Sequence, residues 1–427
     1  MSQDVSTGGA PLQFPVQTVR GVKDVLPQEI AKWQHLESTS RSLFARYGFQ
    51  EIRTPIFEVT GLFARSIGEA TDIVEKEMYT FADRNGQSLS LRPEGTAGVI
   101  RAYIQNGLQQ ESLTRLYYTG PMFRHERPQA GRLRQFHQIG VEALGSASPA
   151  LDAEVITMLS DLFDTLDIRG LTLEVNSIGC PDCRPGYTRV LKEWLAEKVG
   201  ALCENCVRRK DTNPLRVLDC KVPTCGEATR DAPVITDHLC DACAIHADGV
   251  YGRLKAVGLA YTVNPRMVRG LDYYTRTAFE WTTTELGAQN TVAAGGRYDS
   301  LNAQLGGKER PGIGFALGVE RLLMLLPELA AASPDLYLVA LGEEAETSLL
   351  GLVRSLRADG VRVDRNFDGG SLKAQLKRAN KSGARYCLIV GETELAQGRY
   401  ILKDMAEGGQ EEIEAAGAAA GIRAALG

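Results

Sequence analysis

With 427 residues, 24% of them charged and 44% apolar, the chain is composed like a soluble globular protein and is long enough for two or three domains with a substantial core. A net charge of −5 neither suggests nor excludes an RNA partner, because a local basic patch is enough for phosphate contact. No run approaches membrane-spanning length, and Met1–Phe14 lacks a basic start followed by an apolar stretch. No signal peptide and no membrane partner are therefore expected, and a cytoplasmic location is.

Residues 1–16 are expected to form a flexible tail. Val19–Pro27 reads as an extended lead-in, and Gln28–Tyr47 as a helix with Ile30, Trp33, Leu36, Leu43, Phe44 and Tyr47 at helical spacing. Gly48 stops that helix, and Phe49–Arg53 begins a strand before Thr54-Pro55. Met78–Leu91 supplies two strand-like runs around the turn dipeptide Asn85-Gly86. In Arg92-Pro93-Glu94-Gly95-Thr96-Ala97-Gly98, Glu94 and Thr96 offer a carboxylate and a hydroxyl that can accept from an ammonium group. They can equally cap the helix expected over Ala97–Asn106.

Leu116–Phe123 and Arg134–Leu144 read as strands joined by a polar loop containing Pro128 and Gly131. Alternation places Arg134, Phe136, Gln138, Gly140 and Glu142 on one face of the second strand. A cation, an aromatic plate, an amide, bare backbone and a carboxylate together suggest a ligand lying on the sheet. Arg124 ends the first strand beside Glu126 and Arg127, and its planar guanidinium suits a phosphate. The hairpin reads as a nucleotide platform.

Ala150–Leu166 is helix-like and Leu171–Asn176 strand-like. Residues 177–260 then form an expected insertion holding eight of the nine cysteines, as Cys180/Cys183, Cys203/Cys206, Cys220/Cys225 and Cys240/Cys243, with the basic cluster Arg208-Arg209-Lys210. In a reducing compartment paired cysteines point to metal before disulfide, so one or two tetrahedral zinc sites are one reading. Small buried apolar residues are the other. The helix-like Tyr187–Lys198 separates the first pair from the second, so the pairs need not converge.

VRGLDYYTR at 268–276 is a second chemical centre, followed by strand-like Thr277–Trp281 and Thr291–Ala294 and by a tight turn expected at Gly295–Asp299. Gly312–Leu322 lacks the glycine spacing of a dinucleotide fold and reads as a strand running into the helix Val319–Leu326, with Arg321 at its start. Leu329–Pro334 is an expected linker. Beyond it LYLVAL, VRVDRN and RYCLIVG alternate with helices Glu343–Ala358 and Ser371–Lys381, a βαβαβ pattern that makes residues 335–427 a separate α/β domain. Lys373, Lys377, Arg378 and Lys381 give its second helix a basic face.

FRHERPQAGRLRQFHQIGVE (123–142) resembles motif 2 of class II aminoacyl-tRNA synthetases, in detail that of the histidyl enzymes. The long helix with its glycine, strand and proline resembles motif 1, which forms the dimer interface, and Gly312–Leu322 resembles motif 3. LRPEGTAG resembles part of the family's amino-acid pocket, and RGLDYY and AGGRYD its two histidine-specific blocks. The resemblance implies an α+β class II catalytic core over 17–330, with a six-stranded antiparallel sheet and the insertion, a C-terminal α/β anticodon-binding domain, and a homodimer. It implies ATP with Mg²⁺, L-histidine and tRNA(His) as substrates of a histidine–tRNA ligase. On matching motif positions Arg124 grips the α-phosphate, Arg269 stabilises charge at the reacting centre, and Phe136 stacks under adenine. Arg321 serves the adenine face or γ-phosphate, and Glu126 and Arg132 are further nucleotide contacts. Glu94, Thr96 and Gln138 hold the histidine ammonium, while Glu142 and Tyr274, with Tyr298, read the imidazole. The regulatory subunit of ATP phosphoribosyltransferase resembles the same core, but generally lacks the anticodon domain and several of these arginines, all of which are present here.

Overall fold

The computed structural model describes residues 16–68, 71, 73–287, 290–329 and 333–427. The expected tail, Val16 excepted, and residues 330–332 of the expected linker fall outside these. The chain divides into two compact units, 1–328 and 329–427.

The first unit is built on an eight-stranded sheet. In spatial order its strands are Gln50–Glu51, Thr114–Phe123, Gln135–Leu144, Gly312–Gly318, Thr291–Arg297, Thr275–Thr282, Thr172–Ser177 and Thr262–Val263. The inner six are antiparallel, as expected, and a two-residue strand is added in parallel at each edge. Edges this short offer little backbone for pairing with another chain. One face carries the apolar half of each alternating strand. Ile139, Val141, Ala143, Phe279, Phe315 and Leu317 are buried there against Leu36 and Phe44 of helix Pro27–Arg46 and Ile156 and Leu159 of helix Pro149–Thr165. The latter helix begins where the sequence signals it: Ser148 Oγ accepts from Ala150 N at 3.2 Å, and Pro149 occupies the first turn, where its missing N–H costs nothing.

Two local expectations are corrected. Gly295–Arg297 is not a turn but the end of strand Thr291–Arg297, with Gly295 opposite Phe279 and Phe315. A Cβ at Gly295 would collide with the Gly314 carbonyl and the Phe279 ring, and one at Gly296 with the Thr277 carbonyl and the Tyr274 ring. These glycines serve close approach inside a sheet, and the sequence punctuation is the same for either use. Gly140 likewise leaves room for protein: the Tyr118 ring fills the space where its Cβ would stand.

Arg297, at the end of that strand, is wholly buried and pairs with the equally buried Asp152 of helix Pro149–Thr165. Asp152 Oδ2 also accepts from Thr277 Oγ1 at 2.6 Å and lies 2.9 Å from His246 Nε2. Burial pushes the Asp152 pKa up, but His246 and Arg297 outweigh it and hold the carboxyl below its ordinary value. The network ties two strands, a core helix and the helix Asp241–Ala256 together.

Residues 178–261 are helical, with their own small core around Tyr187, Leu191, Leu195, Cys206 and Val217. The second unit has a five-stranded sheet ordered Val363–Arg365, Leu336–Ala340, Tyr386–Val390, Arg399–Asp404 and Gln410–Glu414. The first three are parallel, as the βαβαβ pattern predicts, and the last two form an antiparallel extension. Lys373, Lys377, Arg378 and Lys381 stand exposed on helix Leu372–Ser382, whose opposite side buries Gln375 and Ala379.

Candidate active site

On the polar face of the first unit's sheet lies a cavity of about 340 Å³. All twelve candidate residues outside the cysteine-rich region line it: Glu94, Thr96, Arg124, Glu126, Arg132, Phe136, Gln138, Glu142, Arg269, Tyr274, Tyr298 and Arg321. Strand Gln135–Leu144 supplies Phe136, Gln138 and Glu142 by simple alternation, whereas Arg134 turns away and donates to the backbone oxygens of Glu126 and Arg20.

One group of lining residues is rich in acceptors. Glu94 is buried, and its two carboxylate oxygens accept from the backbone N–H groups of Thr96 at 2.7 Å and Ala97 at 2.9 Å. It therefore caps helix Thr96–Gln105 while facing the cavity, so the two readings of this residue hold together. Thr96 Oγ1 donates to Glu142 Oε1 at 2.7 Å, and Tyr298 Oη donates to Glu142 Oε2. Gln138 Oε1 is buried and has no hydrogen-bond partner among the described residues. A carbonyl oxygen left this way in a cavity wall is suited to a donor on a ligand. Tyr273, Tyr274 and Tyr298 pack together in the same wall, Tyr273 tilted against Tyr274 at 4.7 Å between centroids and both edge to face with Tyr298 at 5.7 and 6.5 Å.

The other group is cationic. Arg124 Nε donates to the Pro93 carbonyl at 2.8 Å and its Nη1 lies 3.9 Å from Glu126 Oε1; the guanidinium carbon stands 5.1 Å from the Phe136 ring centroid. Arg321 is fixed by donation to Gly131 O at 3.1 Å and Thr291 O at 2.6 Å. Arg132 pairs with Glu126, and Arg269 with Glu280. Burial and then the neighbouring Arg132 and Arg124 lower the Arg321 pKa, and burial lowers that of Arg124. Cations set close enough to depress the pKa of Arg321 favour an anionic ligand. At Arg269 burial works the same way, but Glu280 and Tyr274 outweigh it and raise the pKa.

Burial also pushes the Glu142 carboxyl up to about 8, against the pull of Tyr298 and Thr96. A raised folded-state pKa means that the native protein keeps a proton the unfolded chain loses above its ordinary value of 4.5. In the absence of substrates, stability is therefore expected to fall as pH rises from about 4.5 to 8. Thermal melts across that window check this, and Glu142→Gln should flatten the slope. Glu94, whose pKa burial also raises, contributes in the same direction.

Sequence reasoning missed Tyr118, Tyr273, Glu280 and Glu320, which also line the cavity. Glu280 was legible as the polar alternate of strand Thr275–Thr282. Glu320 accepts from His137 N at 2.9 and 3.0 Å, a contact across 183 positions that no local pattern announces. The eight cysteines of the insertion lie outside the cavity in two groups: Cys180, Cys183, Cys240 and Cys243, and Cys203, Cys206, Cys220 and Cys225. The first pair thus joins the fourth and the second joins the third. Among the described residues no helix is long and apolar enough to cross a membrane.

A family model for histidyl-tRNA synthetase matches residues 21–322, and one for an anticodon binding domain matches residues 335–425. The histidine–tRNA ligase of Trichlorobacter lovleyi is 54% identical over 408 residues, 95% of this chain and 97% of that protein. That of Geobacter metallireducens is 52% identical, over 92% of this chain and 96% of its own length. Among solved structures, apo histidyl-tRNA synthetase of S. aureus superposes with a TM-score of 0.81 at 36% identity, covering 96% of this chain and all of that one. The arginine-lined, acceptor-walled cavity thus stands in a chain that, through both units, belongs to the histidyl-tRNA synthetase family.

Proposed function

We propose that this cavity takes up L-histidine and ATP, the latter with Mg²⁺ as part of the substrate, forms histidyl-adenylate and pyrophosphate, and then passes the histidyl group to the terminal ribose of tRNA(His). The observation that carries the reading is the division of one cavity wall into buried acceptors and clustered arginines. Acceptors suit an ammonium group and an imidazole; arginines suit a triphosphate. In the first step a histidine carboxylate oxygen attacks the α-phosphorus, and the bond to the departing pyrophosphate breaks. Two anions must meet, so fixed positive charge is the chief requirement.

In this reading Arg124 grips the α-phosphate with its outer nitrogens, one of which also lies 3.9 Å from Glu126 Oε1, and Arg269 meets charge developing between nucleophile and phosphorus. Arg321 holds the adenine face or γ-phosphate, Phe136 lies beneath adenine, and Glu126 and Arg132 contact the nucleotide. Glu94, Thr96 and the unmatched Gln138 Oε1 receive the ammonium. Glu142 keeps lone pairs beyond the two used by Thr96 and Tyr298, and with Tyr274 it reads the imidazole, which offers one donor and one acceptor. ATP–pyrophosphate exchange measured across the amino acids tests the reading: histidine alone should support exchange, and exchange with a different amino acid would overturn it.

Replacing Glu142 by Gln keeps the shape but puts an amide nitrogen, which can only donate, where the carboxyl has an oxygen that accepts once ionised. Histidine affinity is expected to fall tenfold or more, on the order of 1.5–3 kcal/mol, with ATP affinity changing far less. Equal losses for both substrates in equilibrium binding would assign Glu142 to the fold. The reading extends to the exposed basic face of helix Leu372–Ser382 as an RNA contact and to a homodimer in the cytoplasm. In the first unit, exposed Ile56, Phe57, Val59 and Phe81 supply apolar surface for a second copy. Light scattering that returns a monomer would remove the dimer.

A further inference from the structure

The eight cysteines of the insertion play no part in the chemistry above, yet among the described residues they gather outside the cavity. The structure brings them into two separate tetrads, in each of which all four sulfurs lie within 4.8 Å of one another. We infer that each tetrad is a structural zinc site, and that the two ions together lock the insertion onto the loop that carries Arg269.

The geometry distinguishes this from the other things clustered cysteines do. Cys180 Sγ stands 3.7 Å from Cys183 Sγ and 3.8 Å from Cys240 Sγ, and Cys183 Sγ stands 3.9 Å from Cys243 Sγ. In the second tetrad Cys203 Sγ is 3.9 Å from Cys220 Sγ. A tetrahedron with Zn–S bonds of about 2.3 Å has its sulfurs about 3.8 Å apart. Disulfides would draw the sulfurs pairwise to about 2 Å. A [4Fe–4S] cluster gives each thiolate its own iron and a [2Fe–2S] cluster holds the thiolates in pairs on two irons, and either spreads the four more widely than a single-ion site. Simple packing of small apolar residues accounts for the buried Cys180, Cys206, Cys225 and Cys243 but not for Cys183, Cys203, Cys220 and Cys240, which are only half-buried and still turn inward. Sulfur atoms in both tetrads accept backbone N–H groups, from Cys180 N to Cys183 Sγ at 3.2 Å and from Cys203 N to Cys225 Sγ at 3.0 Å. Such bonds suit sulfurs that carry negative charge.

The placement says what the ions would hold. The first tetrad joins the start of helix Arg184–Ala196 to the start of helix Asp241–Ala256, which are the two ends of the insertion. Arg184, next to Cys183, donates to the carbonyls of Ile178 at 3.1 Å and Tyr274 at 2.5 Å. The second tetrad closes the stretch from Cys203 to Cys225. Between its halves, Asn213 Nδ2 donates to Asp272 Oδ1 at 3.1 Å and Arg216 to the Gly270 carbonyl at 3.0 Å. Both sites therefore brace residues 270–274, immediately after Arg269.

Metal analysis of the full chain purified without added zinc tests the inference. About two equivalents of zinc per chain are expected, one for each tetrad. Cys203→Ser with Cys225→Ser should retain one equivalent, and cobalt reconstitution of the parent protein should give the absorption of tetrahedral thiolate cobalt without depending on any variant's folding. Chelator should lower the melting temperature and release the zinc. A small fraction of an equivalent with an unchanged melt in chelator would overturn both sites. A single equivalent in the parent protein would overturn one of the two sites, its retention or loss in the Cys203→Ser, Cys225→Ser variant saying which, and stoichiometric iron would overturn zinc as the ion.

Discussion

Arg269→Ala is expected to slow histidine-dependent ATP–pyrophosphate exchange by two or more orders of magnitude, on the order of 3 kcal/mol in the barrier, with a milder loss of histidine binding. The size follows from where the guanidinium stands. It is largely buried, pairs with Glu280, and lies 5.2 Å from the Tyr274 ring centroid, so its position is set before substrates arrive. Glu280 in turn accepts from Thr291 Oγ1 at 3.1 Å, which anchors the pair to the neighbouring strand. A charge held this way does not have to reorganise as negative charge builds between carboxylate and phosphorus, and that is when it contributes most. The distinguishing measurement is the split between turnover and binding. Loss confined to kcat places Arg269 at the reacting centre, whereas turnover within a fewfold of the parent would remove it from the mechanism. Glu280→Gln should fall between parent and Arg269→Ala, since it frees the guanidinium without deleting it.

The course of the polypeptide was legible wherever a single period ran long enough. Strand Gln135–Leu144 could be read because its alternation continues for ten residues, and helix Pro27–Arg46 because its apolar positions recur over five turns. The same alternation put Phe136, Gln138 and Glu142 on one face without reference to any other strand. What was not legible depends on partners far along the chain. Nothing local says that the bareness of Gly140 admits the Tyr118 ring, that Glu320 supports His137, or that Cys180 meets Cys240 across 60 positions. The antiparallel pair Arg399–Asp404 and Gln410–Glu414 escaped notice because its outer strand, Gln-Glu-Glu-Ile-Glu, has the composition of a solvated loop. Charge of that kind is what an exposed sheet edge carries to discourage further pairing.

Asp152→Ala is expected to cost about 3–5 kcal/mol of stability, a larger effect on folding than on any binding step. The pair it breaks is the Asp152–Arg297 contact, in which neither side chain is exposed. Removing the carboxylate leaves a guanidinium in the core with Asp299, at 3.0 Å and partly exposed, as its remaining charged partner among the described residues. It also strips the acceptor from Thr277 and His246 at once. Uncompensated buried charge, more than the lost attraction, sets the magnitude. Asp152→Asn should be less damaging, because an amide oxygen can still accept from Thr277. The consequence reaches the cavity through one residue: Arg297 precedes Tyr298, whose hydroxyl donates to Glu142. A variant rescued at low temperature should therefore bind histidine more weakly while its affinity for ATP is nearly unchanged. Chemical denaturation gives the first quantity and equilibrium titration at low temperature the second. A fall in stability of under about 1 kcal/mol, the range of ordinary surface changes, would mean that the core accommodates the arginine without its partner.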